Sequence, residues 1–450
     1  MSSVKKKIPG AIDSVRQGEI LASYVSDPKN AIVRHALSRH AVTSVFYDPS
    51  HLPDVNMSYS LELPTMTPMN QKASGRCWIY AGLGFMRETI AKKLGIKNFQ
   101  LSTNYIALYD KIEKSNYALE SCLYYADREK DDRELKWLLA NPVSDGGQWD
   151  MLVNLVNKYG LMPMEAFPDT YQSSNTRETD WVVNCYIRNF AAKAWHLVHE
   201  GKAAEARELK EKTLEKIYGL FLSAFGVPPT TFDFEYKDSK DVRHVVSGLT
   251  PLEFKNAYLG DTLDSYVSLI NSPTEDKPYL RSYTIDRLGN VLEGKRVTHL
   301  NVTMERMKEL ILKQLKDGSP VWFGSDVSFY RDRNSFAWDD KAIDYEGSFG
   351  LSVEESKENM LDFSASAMNH AMLIVGVNLV ENVPTKWKIE NSWGTDNGQQ
   401  GYYAMSESWF DKFVYQAVVH KKYLSSEELK AYLEEPIVLK PWDPMGTLAD

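Results

Sequence analysis

A chain of 450 residues is too long for one small core, so several domains or a core with large insertions are expected. Apolar residues at 43% and charged residues at 25% describe an ordinary globular chain, and the formal charge of −9 argues against a nucleic-acid partner, which calls for a basic face. The longest strongly apolar run, Ala371 to Val377, is far too short to span a bilayer, so no membrane partner is expected.

In chain order, the N-terminal lysines are followed by no apolar core, so they do not read as a secretory signal. Three cysteines, Cys77, Cys122 and Cys185, are an odd and sparse set, which points to free thiols and a cytoplasmic location. Ile20 to Val25 and Ala31 to Ser38 read as short helices separated by Asp27-Pro28, and Tyr59 to Leu63 alternates like a strand. A helix is expected to open at Cys77 and run to Leu94, with Lys92 and Lys93 in its last turn and Gly95 closing it. Ser102 to Leu139 is helical in pattern, as is Trp149 to Tyr159, capped by Gly160. Glu178 to Phe225 is strongly helical, and its charged middle, Gly201 to Lys212, reads as a solvated face. Beyond Pro228-Pro229 the character changes. Thr231 to Tyr236, Ser265 to Ile270, Ser282 to Ile285, Pro320 to Ser325, Ala371 to Val377, Lys386 to Glu390 and Gly401 to Met405 read as strands. Between them Thr303 caps a helix ending at Gly318, and Ser425 with Glu428 forms a capping box for a last helix. Helices first and strands later predict an α+β protein.

The chemistry concentrates in four places. Cys77 directly follows Gly75-Arg76 and opens a helix, where the macrodipole favours a thiolate. Gln71, six residues earlier, can swing its amide over the thiol and form an oxyanion hole with the Cys77 N–H. Asn369-His370-Ala371 precedes an apolar strand, and Asn391-Ser392-Trp393-Gly394 follows the next one. Neighbouring antiparallel strands would set the Asn391 amide oxygen against one imidazole nitrogen of His370, leaving the other for Cys77, with Trp393 shielding the hydrogen bond. An isolated cysteine is more often a buried structural residue. An isolated histidine or asparagine likewise reads as core or turn, and the four gain their meaning together. No Cys/His or carboxylate cluster has metal-ligand spacing, and no cofactor is expected.

These motifs resemble the papain superfamily. The Gly75-Arg76-Cys77-Trp78 stretch, with an arginine before the nucleophile, is similar to the bleomycin hydrolase and bacterial aminopeptidase C branch. Asp145-Gly146-Gly147-Gln148-Trp149, Leu315-Lys316-Asp317-Gly318 and Pro441-Trp442-Asp443-Pro444-Met445-Gly446 extend that likeness over nearly the whole chain. The resemblance implies a papain-like fold, with a helical left domain, a β-rich right domain and a large helical and hook insertion. His370 lies 293 residues after Cys77, against roughly 130–150 in simple papain-like enzymes. The expected division is therefore an arm at 1–60, the nucleophile domain at 61–175, the insertion at 176–287, the β-rich domain at 288–424, and a terminal helix with tail at 425–450.

The resemblance also implies a homohexamer with internal active sites, and peptide substrates. It places the C-terminus in the cleft, with its carboxylate meeting the substrate's amino group. The tail, with Pro441 and Pro444, reads as a stiff non-helical strap anchored by Trp442 and Met445. Gly146 and Gly147 are expected to let substrate backbone approach closely, with Asp145 and Trp149 lining the same cleft. Asn369, Trp393, Ala449 and Asp450 complete the expected substrate-contacting set. The implied activity is a broad cysteine aminopeptidase acting through a thioester. An oligoendopeptidase on the same scaffold and a silent binding protein are the alternatives.

Overall fold

The computed structural model describes residues 9–328, 331, 335–353 and 355–449. Its centre is the helix Cys77–Leu94, in which every residue from Cys77 to Arg87 is buried. Its first three turns are packed on all sides, and its last turn, with Lys92 and Lys93, reaches solvent. Gly95 closes it in the left-handed region at φ 69°, its N–H donating to the Ala91 carbonyl.

On one side of this helix lie Thr103–Tyr124 and Trp149–Tyr159; on the other lies a mixed sheet. A tryptophan seam joins the two halves. Trp149 packs on Phe85 at 5.7 Å and on Trp322 at 6.1 Å between ring centroids, and the Trp322 indole N–H donates to the Trp78 carbonyl at 3.2 Å. Trp149 is therefore core, only 1% exposed, and does not line the cleft as expected. Arg87 makes a second tie, reaching Glu390 at 2.8 Å with both side chains buried.

The main sheet runs in the order Ile437–Leu439, Ser282–Ile285, His299–Asn301, Tyr266–Ile270, Val414–His420, Val321–Ser325, His370–Val380, Val383–Glu390, Tyr402–Ser406 and Ala337–Trp338, with Leu61–Glu62 beside His370–Val380. Around the site it is antiparallel, with Ser325 opposite His370 and Leu373 opposite Glu390.

The segment expected to be an insertion contains two long helices, Arg177–His199 and Ala203–Phe225, and a short one, Pro251–Tyr258, while its last strands, Tyr266–Ile270 and Ser282–Ile285, belong to the main sheet. Val183, Ile187, Phe190, Ala191 and Ala194 form the buried stripe of the first; Ala206, Lys210, Ile217, Phe221 and Phe225 form that of the second. Ala206 and Lys210 thus leave the expected solvated face, and Lys210 meets Glu120 at 3.1 Å. A hairpin of Phe232–Lys237 and Arg243–Leu249 follows, Phe234 packing on Phe99 and Phe254.

Secondary structure also departs from expectation in the first helical stretch, the sheet and the tail. The helical stretch from Ser102 is two helices, Thr103–Tyr124 and Arg133–Ala140, because the Asp132 carboxylate accepts the Leu135 N–H at 2.9 Å and starts a second helix. Val414–His420, a strand within the sheet, was not anticipated. The tail residues Pro444–Ala449 form a 3-10 helix rather than an extended strap. Proline suits a first turn, and Asp443 caps this one, its carboxylate accepting the Met445 N–H at 2.9 Å.

Candidate active site

Cys77 stands in the first turn of its helix, after an N-cap residue, Arg76, whose side chain makes no capping bond. Its sulfur accepts the Ala371 N–H at 3.5 Å, which joins the helix to the strand that begins at His370. The thiol is 4% exposed. Burial pushes it up to about 11, and the Asp145 carboxylate adds to the rise. The N–H groups of Ala371, Trp78 and Cys77 itself pull the other way but do not offset the burial. Desolvation thus opposes the helix dipole that favours the thiolate.

His370 meets Asn391 through Nε2 and Oδ1 at 2.8 Å. The same Oδ1 accepts the Ser392 N–H at 2.7 Å, which fixes it as the oxygen and makes His370 Nε2 the donor. Nδ1 is then left as the basic nitrogen. Trp393 stacks over the imidazole at 4.9 Å and 27°. Burial lowers His370 to about 4; Asn391 opposes that and the Arg331 charge adds to it. Burial thus disfavours the charged form of both thiol and imidazole.

Gln71 is held at both ends. Its Nε2 donates to the Ser74 carbonyl at 2.6 Å, and its Oε1 accepts from the Ser392 hydroxyl at 2.6 Å. Among the described residues, one amide hydrogen of Gln71 remains without a partner. The Gln71 N–H also donates to the Ser392 carbonyl at 2.8 Å, so the loop before Cys77 and the turn after Asn391 are tied together.

The glycine pair faces the tail. The Gly147 N–H donates to the Leu448 carbonyl at 3.0 Å, and the Ser144 hydroxyl donates to the Ala449 carbonyl. A Cβ on Gly146 would lie 2.4 Å from the Leu448 oxygen, and one on Gly147 2.5 Å from the Trp78 ring. Close approach, rather than an unusual φ, requires glycine here. Thr447 crosses to the opposite wall, its hydroxyl donating to the Met368 carbonyl at 2.8 Å. Met445 is fully buried, and Trp442 lies under Arg133 at 3.8 Å. Asp450 lies outside the described residues.

Asp145 does not offer its carboxylate to the cleft. It accepts the Gly75 N–H at 2.8 Å and the Thr176 hydroxyl at 2.5 Å, and it pairs with Lys111 at 2.7 Å, whose charge holds it well below the usual carboxylate range against the effect of burial. Asn369 is exposed, but its amide is also engaged: it donates to Asp326 at 2.7 Å and Ser328 at 2.6 Å and accepts the Val327 N–H at 3.0 Å.

A cysteine, a histidine oriented by asparagine and a glutamine amide, brought together through Ala371 and Ser392, form the constellation of a thiol acyl-transfer enzyme. The sequence profile of the Peptidase C1-like family matches residues 12–446. The chain belongs to this family. An aminopeptidase C from Lactobacillus delbrueckii subsp. lactis is 42% identical over 94% of this chain and 95% of its own. One from Streptococcus thermophilus is 40% identical over 96% and 97%. The crystal structure of PepW from Lactobacillus rhamnosis HN001 superposes with a TM-score of 0.95 at 41% identity, covering 98% of this chain and 99% of the other.

This cysteine peptidase also uses residues that the sequence did not single out. Ser392 holds Gln71, and its place beside Asn391 was a usable signal. Asp169 pairs with Arg76 at 3.0 Å from 93 positions away, and Asp326 orders the His370 approach through Asn369; neither has a local signature. Ser144, beside the glycine pair, binds the tail.

Proposed function

We propose that this chain is a cysteine aminopeptidase that removes N-terminal residues from peptides through a thioester acyl-enzyme. His370 Nδ1 takes the Cys77 proton as sulfur attacks the scissile carbonyl, and the oxyanion receives the free Gln71 N–H and the Cys77 backbone N–H. The C–N bond then breaks, and the imidazolium gives its proton to the leaving amine. Water adds to the thioester with His370 as base, the C–S bond breaks, and the thiol regains its proton. Asn391 keeps the imidazole in the tautomer this requires.

The observation that carries the exopeptidase reading is the tail across the glycine pair. Leu448 presents its carbonyl to the Gly147 N–H, the type of bond a substrate backbone would make, and so closes that side of the cleft to longer peptides. Gly146, Gly147, Trp393 and Ala449 are the residues assigned to substrate contact, with Asp145 and Asn369 acting through the loops they hold. The experiment compares a dipeptide amide with its N-acetylated form. Preference for the free amine is expected; equal or faster cleavage of the acetylated form favours an oligoendopeptidase.

The same reading assigns a homohexamer. Ser14–Ser26 buries no residue and exposes Val15, Ile20, Leu21, Tyr24 and Val25, an apolar face suited to a neighbouring copy. Light scattering tests this. Cys77, Cys122 and Cys185 are free thiols, which supports a reducing, cytoplasmic setting. Among the described residues no helix is long and apolar enough to cross a membrane.

A further inference from the structure

Arg76 is a large buried cation immediately before the nucleophile, with an exposure of 1%. Its guanidinium uses three separate positions. Nη1 meets Asp169 at 3.0 Å, Nε donates to the Ser74 hydroxyl at 3.0 Å, and Nη2 donates to the Tyr80 hydroxyl at 3.3 Å. Asp169 is itself gathered in by the hydroxyls of Tyr80 at 3.2 Å, Ser173 at 3.2 Å and Thr103 at 3.4 Å. The chain of contacts continues toward the site. The Ser74 hydroxyl donates to the Gln71 carbonyl at 2.6 Å, and the Ser74 carbonyl accepts the Gln71 side-chain amide at 2.6 Å.

The guanidinium is thus connected to both the backbone and the side chain of Gln71 through one serine. It could instead act on the thiol by charge, but that charge is paired with the Asp169 carboxylate at 3.0 Å. The fork geometry of three fixed donors suits a clamp better than a point charge.

We propose that Arg76, locked by Asp169, is a positioning residue that holds Ser74 and through it aims the Gln71 amide at the oxyanion. The proposal rests on the reading of Gln71 as oxyanion donor. In Arg76→Lys the charge stays but the fork is lost, so Gln71 is free to tilt. Removing an oxyanion donor outright lowers kcat by roughly 10²–10³-fold, and a loosened one is expected to lower it by about 10–100-fold with little change in KM.

The test uses three readouts on the full chain: kcat on an aminoacyl amide, binding of a peptide aldehyde, and alkylation of Cys77 by iodoacetamide. The aldehyde adds to the thiol and generates an oxyanion; iodoacetamide displacement generates none. Arg76→Lys is expected to weaken kcat and aldehyde binding in parallel, to leave alkylation within about threefold, and to add nothing to Gln71→Ala. Should Arg76→Lys fail to fold, Ser74→Ala removes the relaying hydroxyl alone and is expected to give the same pattern at smaller amplitude. Unchanged kcat, equal loss in kcat and alkylation, or a loss additive with Gln71→Ala would overturn the proposal. If Gln71→Ala itself left kcat and aldehyde binding intact, the oxyanion assignment would fail instead.

Discussion

Gly146→Ala is the sharpest perturbation of tail docking. The added Cβ would sit 2.4 Å from the Leu448 oxygen and 2.8 and 2.9 Å from the carbonyl carbon and Cα of Ala449. These are backbone atoms, so no rotamer change relieves the overlap and the tail must lift. Lifting breaks the Gly147 N–H bond to Leu448 and the Ser144 bond to Ala449, about 1 kcal/mol each. It also exposes Leu448, now 3% exposed, at about 2 kcal/mol. The total of about 4 kcal/mol corresponds to roughly a thousandfold shift in tail occupancy. The expected outcome is a rise of at least about tenfold in kcat/KM for the N-acetylated dipeptide amide relative to the free amine. Carboxypeptidase digestion followed by mass spectrometry should show faster loss of the terminal residues. Removal of residues 447–450 should give the same shift, and Gly146→Ala in that truncated chain should add little. If truncation opens the enzyme to acetylated substrates while Gly146→Ala does not, the contact is not what holds the tail. If neither changes the ratio, the tail does not set exopeptidase specificity.

Asn391→Ala removes the hydrogen bond that fixes the His370 tautomer; steady-state kinetics should show kcat down about 100-fold with KM nearly unchanged. Because burial lowers His370 to about 4, the unfolded chain binds a proton below about 6.5 that the folded chain refuses until about 4. Stability is therefore present above about 6.5 and is lost as pH falls through that window, by up to about 3 kcal/mol. Urea titrations at pH 7 and pH 4.5 should show a smaller loss in His370→Gln than in the native chain. Since the thiol rises to about 11, the alkaline limb of kcat/KM should follow the substrate's α-ammonium, near about 8, and move when an amide of different amine pKa is used. Asp145→Ala strips Lys111 of one of its two carboxylates and frees the Gly75 N–H, and chemical denaturation should show about 3 kcal/mol of lost stability.

Elements with local punctuation were legible in the sequence. Gly95 after Lys92-Lys93, Gly160 after Tyr159, and the Ser425/Glu428 box each mark a helix end by chemistry within a few residues, and each lies where expected. Val414–His420 lacked such marks: it leaves the helix Glu407–Phe413 without a turn, and its burial on both faces erases the alternation that identifies a strand. The same contrast holds at the site. Gln71, Cys77, His370 and Asn391 each have telling neighbours, whereas Asp169 and Asp326 take part only through three-dimensional contacts with Arg76 and Asn369. The upward shift of the Cys77 thiol was out of reach for a related reason. A helix start can be read from sequence, but burial of the thiol depends on the opposite half of the molecule.

That dependence explains how the long separation between Cys77 and His370 leaves the site intact. Within the segment from 176 to 287 the Thr176 hydroxyl bonds Asp145 on the helical half, whereas Tyr266–Ile270 and Ser282–Ile285 are strands of the main sheet, and just beyond it Asn290 donates to Asp110 at 3.1 Å. The two long helices pack on Thr103–Tyr124, and the chain then returns into the sheet at Tyr266–Ile270. The walls are joined independently, by Arg87 to Glu390, Gln71 to Ser392, and Trp322 to Trp78. Two of these three ties are next to residues assigned to chemistry, Glu390 beside Asn391 and Trp78 beside Cys77. The third holds the oxyanion amide itself. The interface that keeps the halves together is therefore also the device that sets the distances among nucleophile, base and oxyanion donor, and a substitution that loosens it should lower kcat before it unfolds the protein.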